Sequence, residues 1–589
     1  MNEFGLPPKT IFGLEQEFGT SWPALSRIDY ALISERMDSQ YASELFMFYL
    51  HSFLVRSSPF RTNAVSISGP PGNQLGWTWT NGSRIYLDVG HPEYCTPECE
   101  DPRSAILWSK AGEYLLEIIL RDLNRRIARL DIPTIKEIVF QRRNFMLFGK
   151  RAKKRKVAGL NIGPIGIYKN NTDIKNLSYG THENYLCLRD KILHPDTPEF
   201  SSIERYDKMR HNLIPFLITR QIFSGAGGFW RDYSAADWRY VLSPRAMDTQ
   251  FLVGGGTTNQ KPCISTRDEP LSQDNYFRVH LPCADALMSE FAAYLALGTT
   301  RIILFMIEDG WLNGQIVFDC ETIGQKFDSN LRQEAEREIL GYFKKISVNY
   351  IDHPDFRMSL RRRTQLTAWE IQNEYLKLAQ EYFQTIRNPC WWEKDIMAKW
   401  EMTLELLKNN SSQKPRFIEW ASKLRTLKGV LKKRGNIPDY IVENKGITDR
   451  EIWDKKIRRQ NGQKEEKIGD ILISAAIQYT DIRKEKGLYW VLARNGAVER
   501  LFSEYEIKQA IRFPPLTRAF LREYARILAP KYSCRLDILN WNKFSAVDER
   551  TNQSFQFTAD IPFGGKELEN EMERLENWFR AVVSSSLIN

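Results

Sequence analysis

The stretch RIYLDVGHPEY, residues 84–94, decides how the chain is read. Arg84, Tyr86 and Asp88 fall at every second position, the spacing that puts side chains on one face of a β-strand, and the Gly90-His91-Pro92 run then breaks that strand. A second segment, GLEQEFG at 13–19, repeats the arrangement with Glu15 and Glu17. Carboxylates beside a guanidinium make a surface for metal and phosphate, because Mg²⁺ takes oxygen ligands and shares them with nucleotide phosphates. Taken alone, Glu-x-Glu reads first as the wet face of a half-exposed strand, since such alternation is routine there.

Around these strands lies a chain of 589 residues, 42% hydrophobic and 26% charged, which can bury a large core and excludes wholesale disorder. That length allows roughly two to four domains, or one large unit with an appendage. The net charge of +10 favours acidic partners without choosing among nucleic acid, membrane surface, nucleotide and acidic protein. Eight cysteines, mostly isolated, do not form a disulfide framework, so a reducing cytoplasm is expected. The N-terminus lacks a basic start followed by an apolar core, and no uninterrupted apolar run reaches about 18 residues. Neither secretion nor a membrane span is expected.

No solenoid or propeller repeat is visible. Helical spacing occupies 24–55, and a Ser-, Pro- and Gly-rich loop follows at 56–76. A strong amphipathic helix is expected over 105–130, a basic loop over 149–160 and a strand at IGIYKNNTD, residues 165–173. Further strands are expected at SYGTHENYLCL (178–188), near CISTRDEP (263–270) and at FRVHLP (277–282). Helices are expected at 213–225, stopped by Gly225, Gly227 and Gly228, and at 285–309, 330–348, 366–387 and 393–408. Polar connections fall at 409–416 and 455–468. The pattern predicts a sheet covered by helices, a main domain over 1–494 and a small C-terminal domain over 495–589 that contains EIKQAIRFPPLTRAFLREYARIL.

Several other chemistries find little support. HPEYCTPEC (91–99) lacks the second Cys/His pair a structural zinc site needs, and Glu93 serves better as an oxygen ligand joining Glu15 and Glu17. SGAGGFW (224–230) follows a helix rather than a strand and lacks the dinucleotide frame; no P-loop and no G-x-S-x-G elbow occur. The basic run KRAKKRK (150–156) carries no interleaved aromatics, so a solvated or acidic-protein-binding loop is favoured over a nucleic-acid contact. Trp420 in FIEWASKL is by residue type a core tryptophan before it is an adenine platform.

Eight segments in fixed order resemble the family of Pup ligase and its sister enzyme, the depupylase/deamidase of Pup. They are GLEQEFG (13–19), NGSRIYLDVGHPEY (81–94), YKNNTD (168–173), SYGTHENYL (178–186), PFLITRQIFSGAG (215–227), STRDEP (265–270), TAWEIQ (367–372) and PPLTRAFLR (514–522). The resemblance implies an α+β, glutamine-synthetase-like fold: a curved, mostly antiparallel sheet cradle backed by helices, with a small C-terminal domain. It implies ATP and Mg²⁺ as cofactors and a small acidic Pup-like modifier, with its protein conjugates, as partner. Residue by residue it suggests Glu15, Glu17, Tyr86 and Glu93 as metal ligands, Asp88 as the catalytic carboxylate, and Arg84, Arg220 and Arg267 as phosphate-neutralising cations. It also gives Trp420 the adenine-side reading.

The sister enzymes would either phosphorylate and ligate the modifier's C-terminal glutamate to a lysine, or hydrolyse that isopeptide bond or deamidate a terminal glutamine. DPRSAILWSKAGE, LGTTRIILFMIEDG, EWASKLRTL and YTDIRKEKGLYWVLARNGAVERL look more like the depupylase/deamidase, whereas LDVGHPEY is nearer the ligase. One departure is ADAL, Ala284–Leu287, where the family carries Gly-Asp-Ser/Ala-Asn; Asp285 and the preceding His280 remain. A nucleotide-bound, non-catalytic adaptor for acidic proteins is the alternative of another class.

Overall fold

A computed structural model describes residues 8–21, 76–128 apart from 89, 164–172, 178–197, 204–232, 237–257, 260–320, 329–361, 364–435 and 465–588, with 43, 46, 47, 453, 454 and 456–458. The loop expected at 56–76 (save Gly76), the basic loop 149–160 and nearly all of the helical stretch 24–55 lie outside these residues.

Eight strands form one sheet: β1 (Phe12–Glu17), β2 (Gly76–Thr78), β3 (Arg84–Asp88), β4 (His91–Cys95), β5 (Thr181–Leu188), β6 (Phe251–Gly254), β7 (Pro262–Ser265) and β8 (Tyr276–Ala284). Their order is β6-β7-β8-β5-β1-β4-β3-β2. All neighbours run antiparallel except β6 and β7. Strand alternation divides the side chains. Phe12 and Leu14, Tyr185 and Cys187, and Phe277, Val279 and Leu281 are buried on the face that meets the helices.

The covering helices include α1 (Pro102–Ile127), α2 (Asp207–Ser224), α3 (Glu290–Glu308), α4 (Ala368–Thr385), α5 (Trp391–Lys408) and α6 (Glu419–Gly435). Asp101 caps α1 by accepting from the Ser104 amide, and the start shifts to Pro102, a residue type that tolerates the first helical turn. α2 begins six residues before the expected start and carries Pro215 in its interior, where the buried neighbours Phe216 and Leu217 hold the helix together. The Phe12 ring meets Trp392 of α5 edge-on at 5.8 Å, which ties sheet to helices. Among the described residues α3 alone is long and apolar enough to cross a membrane, and 94% of its apolar window is buried inside the protein. The expected strand at 165–173 shortens to Gly166–Tyr168 and pairs with Gly19–Ser21, because Asn170 turns back to the Thr172 carbonyl.

Helix α7 (Glu504–Arg512) packs along α1, with the Trp108 indole donating to the Phe513 carbonyl at 3.1 Å. Beyond it, helices α8 (Arg518–Leu528) and α9 (Gly565–Ile588) cover a three-stranded antiparallel sheet, β9 (Cys534–Ile538), β10 (Lys543–Asp548) and β11 (Ser554–Thr558). Leu521, Phe544, Phe557, Leu575 and Phe579 form a separate core there.

Candidate functional site

The face of the large sheet opposite the helices gathers the ionisable side chains. Register puts Arg84, Cys95, Glu15 and His182 in one row across β3, β4, β1 and β5. Tyr86, Glu93 and Glu17 form the next row, and Asp88 faces His91 beyond them. The β3–β4 hairpin closes through Gly90 at φ +92°, a left-handed turn that suits glycine.

Two clusters result. Ligand atoms of Glu17, Asp88 and Glu93 lie within 4.8 Å of one another, as do those of Glu15, His182 and His280. In the first, Glu17 also accepts from the Gly180 amide at 2.8 Å and Tyr86 donates to Glu93. Burial pushes the Glu93 carboxyl well above the usual range, reinforced by Glu15 and Glu17, and burial followed by the charge of Glu17 raises Asp88. Burial likewise raises the Tyr86 phenol, with Cys95 and Glu93 adding to it. Among the described residues no lysine or arginine pairs with Glu17, Asp88 or Glu93. Three crowded oxygen donors without a protein cation suit a hard divalent ion such as Mg²⁺.

In the second cluster Glu15 meets His182 Nδ1 at 3.1 Å, Asn184 Nδ2 at 3.3 Å, Arg278 Nη1 at 3.4 Å and His280 Nε2 at 3.8 Å. Burial opposes its ionisation, but His182, His280 and Arg278 outweigh burial and hold it below the ordinary carboxylate range. Burial takes His280 down to about 3 despite Glu15, leaving a neutral imidazole able to act as a ligand.

Beside Glu15 an open cleft lies between the large sheet and the C-terminal sheet, with Cys95, Glu98, Arg278, Arg518 and Trp541 in its lining. Arg84 lies over the Trp541 ring at 4.6 Å. It is 6% exposed, and its Nε and Nη2 have no hydrogen-bond partner among the described residues. Burial and the neighbouring Arg522 charge lower it to about 10. An unneutralised buried guanidinium with two free donors fits an anion such as a phosphate.

The structure thus brings together Glu15, Glu17, Arg84, Tyr86, Asp88 and Glu93. Arg267 sits at the rim, half-exposed, donating to Glu269 at 3.0 Å. Arg220 and Trp420 stand elsewhere. Arg220 is buried on the helix side of the sheet, donating to Glu183 at 2.9 Å, since Glu183 points opposite to His182 and Asn184. Trp420 is core-packed, with its indole donating to the Ile222 carbonyl at 2.9 Å. Sequence reasoning missed His182, Asn184 and Arg278 as neighbours of Glu15, although the two-residue spacing in THEN and RVH carries the signal already used for RIYLD. Trp541 had no such signal, because only the docking of the C-terminal sheet brings it here.

The chain matches the family described as Pup-ligase protein over residues 10–444 and 448–544. It is 34% identical over 472 residues to a depupylase of Acidothermus cellulolyticus, covering 79% of this chain and 73% of that protein. It is 30% identical over 503 residues to a Pup–protein ligase of Kineococcus radiotolerans, covering 84% and 88%. Its fold is that of the ligase PafA in the crystal structure of its complex with the ubiquitin-like protein Pup. There the TM-score is 0.67 at 22% identity, over 96% of this chain and 92% of that one. PafA bound to ADP matches with a TM-score of 0.62 at 23% identity, over 86% and 91%.

Proposed function

Since the chain belongs to the Pup-ligase family, we propose that it is an ATP- and Mg²⁺-dependent enzyme acting on the C-terminal residue of a small acidic Pup-like modifier in the cytoplasm. It hydrolyses the isopeptide bond joining a terminal glutamate to a substrate lysine, or deamidates a terminal glutamine. The observation that carries this reading is the convergence of Glu17, Asp88 and Glu93 within 4.8 Å on a face that also carries Arg84, whose Nε and Nη2 have no partner among the described residues. The eight-stranded sheet serves as the glutamine-synthetase-like cradle, and residues 495–589 as a small C-terminal domain.

Glu15, Glu17, Tyr86 and Glu93 are the residues that would hold Mg²⁺, with His182 and His280 as further donors beside Glu15. When bound, the ion supplies charge neutralisation for phosphate and for the oxyanion of an attacked carbonyl. Asp88 accepts the proton of the attacking water, and its elevated proton affinity strengthens it as a base. Trp541, which lines the cleft, serves as the aromatic wall for the base, and Arg84, lying over that ring, neutralises phosphate charge from behind it. In this reading Trp541 takes the adenine-side role first assigned to Trp420, Arg220 is structural, and Arg267 acts from the rim.

Ligation is the near alternative, favoured by the 30% identity to a Pup–protein ligase over 84% of the chain. There Asp88 would take its proton from the lysine amine. The protein incubated with a Pup conjugate, or with free Pup, a target and ATP, separates the two: conjugate loss marks hydrolysis and conjugate gain marks ligation. Asp88→Asn lowers either rate by about a hundred- to ten-thousandfold while MgADP binding persists. Unchanged turnover in that variant removes Asp88 from the chemistry.

A further inference from the structure

Glu98 follows β4 and lines the same cleft, but from a bound position. Its carboxylate accepts from Arg518 Nε at 2.9 Å and from Arg522 Nη1 at 2.8 Å, and its backbone carbonyl accepts from the Thr517 hydroxyl at 2.9 Å. Arg522 in turn donates to the Trp541 carbonyl and to the Gly82 carbonyl, each at 2.9 Å. Its guanidinium also lies 5.1 Å from the Trp541 ring centroid, while Arg84 lies 4.6 Å from it. Gly82 permits this approach: at φ +82° a Cβ there would stand 2.7 Å from the Ala519 Cβ. One carboxylate just past the large sheet therefore orders a chain that ends at the indole of the C-terminal hairpin, two residues before β10.

We propose that Glu98, acting through Arg522, is a positioning residue for nucleotide: it holds Trp541 of the C-terminal sheet against Arg84, so that the ring, with the guanidinium over it, forms one wall of the cleft. The inference rests on the reading of that cleft as a nucleotide site. It follows that the C-terminal sheet completes the nucleotide site, and that its contribution is affinity rather than the chemical step. Glu98 touches neither the reacting atoms nor the Glu17–Asp88–Glu93 cluster, which lies on the other side of Glu15.

The test uses the full chain carrying Glu98→Gln, Glu98→Asp, Arg522→Lys and, as control, Glu290→Gln. Glu290 is also buried and pairs with Arg500 outside the cleft. Glu98→Gln and Arg522→Lys raise the Kd for MgADP about tenfold and leave kcat at saturating ATP within about twofold, and Glu98→Asp restores most of the affinity. Glu290→Gln lowers Tm without moving Kd. A folded Glu98→Gln or Arg522→Lys chain with wild-type Kd, or a loss lying wholly in kcat, overturns the proposal. Hydrogen exchange of the nucleotide-free chain at residues 539–543 gives a separate readout, because the amides of Leu539 and Asn540 are tied to Lys543 in the turn that carries Trp541. Glu98→Gln accelerates exchange there; unchanged exchange sinks the latch. If the wild type binds no MgADP, the reading of the cleft fails, and exchange alone decides whether Glu98 fixes Trp541.

Discussion

Glu93 and Glu98 stand five residues apart, both buried, and their surroundings drive them in opposite directions. Around Glu93 are Glu15, Glu17 and Asp88, and its carboxyl is pushed well above its ordinary range. Around Glu98 are Arg522 and Arg518, which overcome the cost of burial and hold it at about 2. The arginines repeat the contrast. Arg220 has its carboxylate in Glu183, whereas Arg84 is lowered to about 10 with donors to spare. Burial is common to all four, so the partner separates them: Glu98 and Arg220 are charges the fold itself pairs, whereas under the proposed function Glu93 and Arg84 are the ones that meet a ligand.

Removing the charge of each glutamate in turn separates the two environments. Glu93→Gln costs about a thousandfold in turnover, the scale expected when several kcal/mol of metal-borne charge stabilisation is lost. It also raises the stability of the metal-free chain by about 1 kcal/mol, since like charges no longer crowd there. Glu98→Gln moves stability the other way, down by about 3 kcal/mol, because two buried arginines lose their partner. Denaturant unfolding in EDTA checks both signs. Destabilisation by both substitutions would mean that the Glu17–Asp88–Glu93 cluster is part of the scaffold.

Acid titration reads the pairing of Glu98 directly. Glu98 has a folded pKa of about 2 against an ordinary 4.5, so the folded state binds fewer protons between those values. Its stabilisation is fully present above about pH 4.5 and is lost as pH falls toward about 2, a span worth roughly 3 kcal/mol. Urea unfolding between pH 5 and 3, with Glu98→Gln as reference, should show wild-type stability falling toward that of the variant. A constant gap across that range would show that the two arginines do not depress Glu98.

How much of this was legible beforehand depended on range. Alternation in RIYLD and LEQE placed Arg84, Tyr86, Asp88, Glu15 and Glu17 on one face, because a strand's geometry is local and its period is two. The same rule applied to THEN and RVH would have added His182 and His280. Arg220 and Trp420 read as site residues through resemblance, yet their contacts lie with the helices. Glu183 faces away from the cleft, and α2 meets that other face of the sheet. Trp541 and the two arginines on Glu98 come from a segment more than 400 positions away, and no spacing within a strand encodes such a contact.

The smallest effect belongs to Arg267, and it tests whether pairing or position sets the rule. Its side chain is 52% exposed and shares its charge with the equally exposed Glu269, an arrangement worth about 1 kcal/mol at most in water. Arg267→Gln should therefore change the Kd for MgADP by less than about fivefold, whereas Arg84→Met, which removes a buried guanidinium with two donors free among the described residues, costs well over tenfold. Isothermal titration of both variants at one salt concentration makes the measurement, and raising the salt should weaken only the Arg267 contribution, because exposed charges are screened first. A tenfold or larger loss from Arg267→Gln would mean that the segment after β7 turns inward over bound nucleotide. Pairing in the nucleotide-free chain would then no longer identify the cations that meet phosphate.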